Sequence, residues 1–259
     1  KEKEELPTPP PETTPPGKRG ILLIALGHPM YGRMAYNLLT SIRFADKDVS
    51  VHLVHNGTSM SHLTDEEKNM FTSSELCPKE YYTKNGADCF IKAKTRVYEL
   101  SPFDETIFMD VDLVVFGKKP ISEMFEELKD VEFTMQNRGF TNLSSPVLNE
   151  KYNMWANVKD VKEVYGAKDK FYQLASEVIY FKRTQANRIY FELVADVFDN
   201  PKIKGATFNG DLPDEFAYDI ATAVLKHYPH KDNWVPIYWH LMDKKQDFNK
   251  VIGEYWGKD

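Results

Sequence analysis

Residues 104–116, DETIFMDVDLVVF, decide how the rest of the chain is arranged. Ile107, Phe108 and Met109 lead into Asp110, Val111 and Asp112, and Leu113, Val114, Val115 and Phe116 follow. An apolar run rich in β-branched and aromatic residues fits a strand covered on both faces in a parallel sheet. This one emits two carboxylates halfway along. Ionised carboxylates are costly to bury uncompensated, so Asp110 and Asp112 are expected where the strand opens into a crevice and meets a cation. Oxygen ligands suit Mg²⁺ or Mn²⁺, and such metals in turn hold phosphates. The same pattern at Asp46-Lys47-Asp48 follows a helix-like stretch in a polar turn. Solvated acids cost little there, and that copy is read as structural.

With 259 residues, 42% hydrophobic and 13% aromatic, the chain suffices for one large α/β domain with a substantial core. A net charge of -6 and a pI near 5.7 argue against a general binder of nucleic acid or anionic membranes. Two cysteines, Cys77 and Cys89, are too few for a disulfide framework, and reduced thiols in a cytoplasmic protein are the expectation. No apolar stretch is long enough to span a bilayer, and the amino terminus lacks the apolar core of a signal peptide. Lys1–Lys18 is proline-rich, with Leu6 its one apolar residue. Residues 1–19 are therefore expected to form a disordered tether, joining the domain of residues 20–259 to something upstream. Recognition of the tether by a proline-binding domain is the sharper alternative.

The folded part opens with the strand-length run ILLIAL at 21–26, which breaks at Gly27-His28-Pro29. Tyr31, Met34, Ala35, Leu38, Leu39 and Ile42 recur at helical spacing, and VSVHLVH at 49–55 reads as the second strand. This β-α-β opening implies parallel strands joined by a right-handed crossover. Ligands of such sheets bind beyond the carboxyl ends of the strands, which places the Gly27-His28-Pro29 loop on the functional edge. Gly27 then permits close approach to a ligand, or serves only the turn.

Thr64 and Glu67 have capping-box spacing. Residues 90–100, FIKAKTRVYEL, read as a helix carrying Ile91, Lys94, Val97 and Tyr98 on one face. Lys92, Lys94 and Arg96 either face phosphates or form that helix's solvated side. Pro120 suits the first turn of a helix carried by Ile121, Met124, Phe125 and Leu128. Residues 131–136 and 177–181 read as strands, and Thr184 as the cap of a helix reaching Asp199. Residues 137–175 are aromatic and weakly patterned, the candidate acceptor-facing region. Asp214 and Glu215 open a late helix, where acids also suit the helix dipole. WVPIYWH at 234–240 ends on His240.

This order of parts, with PFDETIFMDVD at 102–112, resembles the GT-A glycosyltransferases, and in style the retaining glycogenin- and galactosyltransferase-like (family 8-type) members. The resemblance implies a Rossmann-like, mostly parallel sheet flanked by helices. It implies hexosyl transfer from a UDP-sugar, with Mn²⁺ or Mg²⁺, to a glycan, protein or lipid acceptor. Asp110, Asp112 and His240 would ligate the metal, and Gly27, His28, Tyr31, Lys94 and Asp110 would bind the donor. Asp214 would bind donor hydroxyls, and Glu215 would stabilise positive charge at the anomeric carbon or orient the acceptor. Relatives often present Asp-Gln at that pair; Asp-Glu leaves a base role open, and with it the stereochemical outcome. The region of His240 lacks the glycine and lysine spacing usual after the metal histidine, so a packed core residue is its other reading. Two other functions fit the same fold class: a non-catalytic binding or assembly module, and a sugar nucleotidyltransferase. For the latter, GHPMYGR at 27–33 is a poor phosphate loop. Zinc spacing and a Gly-x-Ser-x-Gly elbow are both missing.

Overall fold

The computed structural model describes residues 18–115, 120–144, 152–153, 155–208, 210–230 and 237–238, the pairs 152–153 and 237–238 by backbone alone. The expected tether up to residue 17, Phe116, and His240 with most of 234–240 lie outside the described residues.

β1 (Arg19–Ala25) leads through α1 (Pro29–Ala45) to β2 (Val51–His55), then α2 (Asp65–Lys68) and β3 (Ser73–Leu76). A short hairpin of β4 (Thr83–Lys84) and β5 (Ala87–Asp88) precedes a 3₁₀ helix (Phe90–Arg96) and α3 (Val97–Leu100). β6 (Glu105–Met109), β7 (Val114–Val115), α4 (Ile121–Glu127) and β8 (Phe133–Asn142) follow. β9 (Tyr152–Asn153), β10 (Ala156–Asn157) and α5 (Val158–Tyr165) lead to β11 (Lys170–Lys182), α6 (Gln185–Asp199), α7 (Asp214–Leu225) and β12 (Ile237–Tyr238).

The central sheet runs β3-β2-β1-β6-β11-β8. Its first four strands are parallel, while β11 runs antiparallel to β6, and β8 to β11. Helices cover both faces, as the alternation of side chains dictates. On one face Ile21, Leu23, Ile107 and Met109 pack with Leu38 and Ile42 of α1 and Phe125 of α4. On the other, Leu22, Phe108, Ile179 and Phe181 pack with Phe191 and Val194 of α6 and Ile220 of α7. This is the α/β class expected, with a mostly parallel sheet between helical layers.

Several local expectations change. Residues 104–116 do not make one strand: β6 stops at Met109, Val111 and Asp112 lie in a turn, and β7 pairs instead with β12. The carboxylates therefore leave the carboxyl end of a strand rather than its middle. Residues 90–100 wind mostly as 3₁₀ rather than α. The described part of residues 137–175 is largely regular, because β8 continues to Asn142 and β11 begins at Lys170. A register irregularity between Ala175/Gln136 and Ile179/Met135 breaks the alternation that would have revealed them. Asp46 is buried, not solvated: its Oδ1 accepts from the backbone N–H groups of Asp48 and Val49, and Oδ2 from that of Ser122 at 2.7 Å. Thr64 and Glu67 form the expected capping box, and Thr184 caps α6. Cys77 and Cys89 are free and buried. No helix among the described residues is long and apolar enough to cross a membrane.

Candidate active site

Parallel strands end on a common edge, and β1 and β6 are in register there, Leu23 beside Met109. Just beyond them opens a cleft of about 440 Å³, lined by Ile24 and Leu26 from the end of β1, Tyr31 from α1, and Phe90 and Lys94 from the 3₁₀ helix. Asp110 and Asp112 line it where β6 ends, and Phe208 and Asp211 close it from the loop before α7.

Lys94 is the hub. Its Nζ lies 2.8 Å from Asp110 Oδ2, 3.3 Å from Asp214 Oδ2 and 3.1 Å from Ser176 Oγ. The 3₁₀ winding is held in place by Tyr218 of α7, whose hydroxyl donates to the Lys94 carbonyl at 2.7 Å. Asp110 is fixed from the next strand, its N–H donating to the Glu177 carbonyl at 2.8 Å. Burial works against a charged lysine, but Asp110 and then Asp214 outweigh it and hold the Lys94 pKa above the usual range. Burial pushes the Asp110 carboxyl up to about 7 against the pull of Lys94, and Asp214 and Asp112 add to the rise. Two carboxylates, Asp110 and Asp214, thus share one ammonium.

Behind Lys94, Asp214 and Glu215 begin α7 almost wholly buried. Glu215 Oε2 accepts from Trp155 Nε1 at 2.5 Å and stands 3.7 Å from Arg138 Nη1, while Oε1 accepts from the Ser176 N–H at 3.4 Å. Arg138 also reaches Glu177 Oε1 at 3.2 Å. Burial raises the Glu215 pKa, Asp214 adds to it, and Arg138 and the Trp155 bond draw it back. One turn on, Asp219 Oδ1 accepts from the Leu174 N–H at 2.7 Å; burial raises its pKa well above the ordinary carboxylate value.

The structure brings Tyr31, Lys94, Asp110 and Asp112 to the cleft, with Asp214 joined to them through Lys94 and Glu215 one residue further. Gly27 and His28 are not among the residues that line the cleft. A Cβ on Gly27 (φ 85°) would meet Phe90 Cε2 at 2.9 Å, so the glycine lets that ring pack over the end of β1. His28 caps α1, its Nδ1 accepting from the Met30 N–H at 3.1 Å. Lys92 and Arg96, considered for phosphates or a solvated face, instead pair with Asp199 at 3.1 and 2.6 Å. Sequence reasoning missed Arg138, Ser176 and Asp219, and placed Trp155 only as one ring of the candidate acceptor-facing segment. Only Asp219 left a signal: a carboxylate within the apolar run Phe216, Ala217, Ile220, Ala221, Ala223 of α7.

A divalent cation fits this donor set on chemical grounds, since Asp110 and Asp112 offer hard oxygens where negative charge exceeds positive. Among the described residues no group of three or more metal-ligating side chains converges. His240, the third ligand implied by the resemblance, lies outside them.

No protein-family model matches the chain, and no curated protein matches it in sequence. Among solved structures it is similar to apo WbbM, a bifunctional glycosyltransferase, at 16% identity and a TM-score of 0.47. That match covers 80% of this chain but 37% of WbbM, so the chain spans little more than a third of that protein. Apo mouse xyloside xylosyltransferase 1 is similar at 12% identity, with 78% of this chain and 81% of that one covered and a TM-score of 0.44. The galactosyltransferase LgtC with donor and acceptor sugar analogs is similar at 11% identity, with 79% and 70% covered and a TM-score of 0.46.

Proposed function

We propose that this chain is a metal-dependent glycosyltransferase that takes a sugar from a nucleotide diphosphate donor, a UDP-sugar. One observation carries the reading: Asp110 and Asp112 leave the carboxyl end of β6 into the cleft, and Lys94 ties Asp110 to Asp214 at the start of α7. Ligands of parallel α/β sheets bind at that edge. Asp110 and Asp112 would hold Mg²⁺ or Mn²⁺, which when bound neutralises charge developing on a departing diphosphate. Lys94 keeps Asp110 in place and adds a fixed positive charge beside the phosphates. Asp214 and Glu215, held by Lys94, Trp155 and the Ser176 N–H, supply anionic oxygens for donor hydroxyls and for positive charge at the anomeric carbon. Tyr31 and Phe90, which also line the cleft, offer an aromatic surface for the nucleoside.

The test is nucleotide release from a panel of UDP- and GDP-sugars with Mn²⁺, comparing wild type with Asp110→Asn and Asp112→Asn. Removing a ligand of such a site is expected to lower release by about 100-fold. Equal release by the variants, or none from any donor by the wild type, overturns the reading.

A further inference from the structure

The loop between α6 and α7 brings an aromatic ring and a carboxylate to the cleft, and the reading above uses neither. Phe208 and Asp211 close a tight turn on each other, with N–H to carbonyl distances of 2.8 and 3.1 Å in the two directions. Gly210 takes φ 91° in it, a conformation that costs glycine little. The turn is anchored beside β10: Gly205 bridges Ala156, and the Ala206 N–H donates to the Trp155 carbonyl at 2.8 Å. Trp155 stands edge-on to Phe208, ring centroids 6.3 Å apart at 74°, and its Nε1 is the donor to Glu215. One short assembly therefore links the cleft mouth to Glu215.

Phe208 is 50% exposed and lines the cleft together with Asp211. A half-exposed phenyl ring held by backbone bonds and braced by an indole offers a flat apolar face, and Asp211 offers acceptors for hydroxyl groups. Asp110, Asp112 and Asp211 all line the cleft, with Lys94 the single cationic side chain doing so among the described residues. That balance disfavours a second anionic ligand beside the nucleotide. A pyranose ring matches all three properties: an apolar C–H face, a rim of hydroxyls and no charge. We propose that Phe208 and Asp211 form the acceptor subsite of this cleft and that the acceptor presents a neutral pyranose to them. The proposal rests on the glycosyltransferase reading.

Methyl β-glucoside, β-galactoside, β-xyloside and β-mannoside are the probes, titrated by saturation-transfer NMR into the full chain with UDP and Mn²⁺; calorimetry follows UDP in the same samples. At least one glycoside is expected to bind. Phe208→Ala should weaken it about five- to tenfold, the scale of one aromatic contact, and Phe208→Tyr should restore it. UDP affinity should stay within about twofold, because the ring serves the acceptor. Methyl glucuronide should bind about tenfold more weakly than the glucoside. The proposal falls if UDP binds and none of the four glycosides does, or if Phe208→Ala weakens UDP as much as the sugar, which would assign the ring to the nucleotide. Failure of UDP to bind with Mn²⁺ counts against the transferase reading itself, whereas loss of glycoside binding alone counts only against the subsite.

Discussion

Replacing Lys94 with methionine keeps the length and volume of the stem and removes its charge. The ammonium sits 2.8 Å from Asp110 Oδ2 and 3.3 Å from Asp214 Oδ2, and their side chains are 22% and 4% exposed. Removing one partner of a buried ion pair costs about 3–5 kcal/mol, because the other charge stays buried. The partial exposure of Asp110 places the expected loss near the lower figure, about 3 kcal/mol at pH 8. Its pH dependence follows from the acids. Burial already holds the Asp110 pKa at about 7, above the ordinary value of 3.8. Without Lys94 the Asp110 carboxyl rises further, so the folded variant binds a proton that its unfolded chain has released. Its stability therefore falls as pH rises above the unfolded carboxylate range. The deficit against wild type should be largest at pH 8 and shrink towards pH 5. Urea unfolding at the two pH values measures it through the midpoint at constant slope. Adding Asp110→Asn to Lys94→Met should recover at least about 1 kcal/mol relative to additivity. A loss below about 1 kcal/mol at pH 8, a deficit equal at both pH values, or strict additivity would refute the shared-charge account.

Two further outcomes concern the frame around the site. Asp219 keeps the Leu174 bond but leaves Oδ2 without a hydrogen bond, and burial raises its pKa well above 3.8. A raised carboxyl pKa makes stability highest in acid and lost as pH rises through the folded pKa. Asp219→Asn should therefore stabilise the protein by about 1–3 kcal/mol at pH 7 and by little near pH 3.5, read from thermal midpoints across pH. Gly32 of α1 has no room for a side chain, since a Cβ there would lie 1.9 Å from the Ser59 carbonyl oxygen. Gly32→Ala should cost about 2 kcal/mol or more despite alanine's better helix propensity, a loss that chemical denaturation will show.

The apolar runs carried most of the frame. ILLIAL, VSVHLVH and TIFM are buried strands, and the spacing of Leu38, Leu39 and Ile42 places α1 against them, because burial on both faces leaves a plain mark in composition. The strand end at Asp110 was half legible. Two acids in an apolar run announced a crevice, but the turn at Val111 and Asp112 was hidden by the apolar residues of β7, which serve a separate pair of strands. Antiparallel β11 and β8 were legible only in part, since the irregularity near Ser176 shifts the pattern by which strands are recognised. Of the site, Asp110 and Asp112 were readable as charges in an unusual place, Lys94 was one of three basic residues with two readings, and Asp214 and Glu215 gained a role only through the family resemblance. The roles of Trp155 and Arg138 were not readable, because a tryptophan or arginine in a weakly patterned segment looks the same whether it holds a carboxylate or faces water. Lys92 and Arg96 show the converse: three cations in a row suggested one shared role, yet they divide between Asp199 and the Asp110–Asp214 pair.

The claim on which all this rests is that Asp110 and Asp112 form half of a metal-dependent nucleotide diphosphate site. Calorimetric titration of UDP into the full chain, with and without Mn²⁺, tests it most directly. Mn²⁺ is expected to tighten UDP binding by about tenfold or more in the wild type and by little in Asp110→Asn/Asp112→Asn. UDP affinity that is the same with and without Mn²⁺, or an equal response to Mn²⁺ in the double variant, would contradict it.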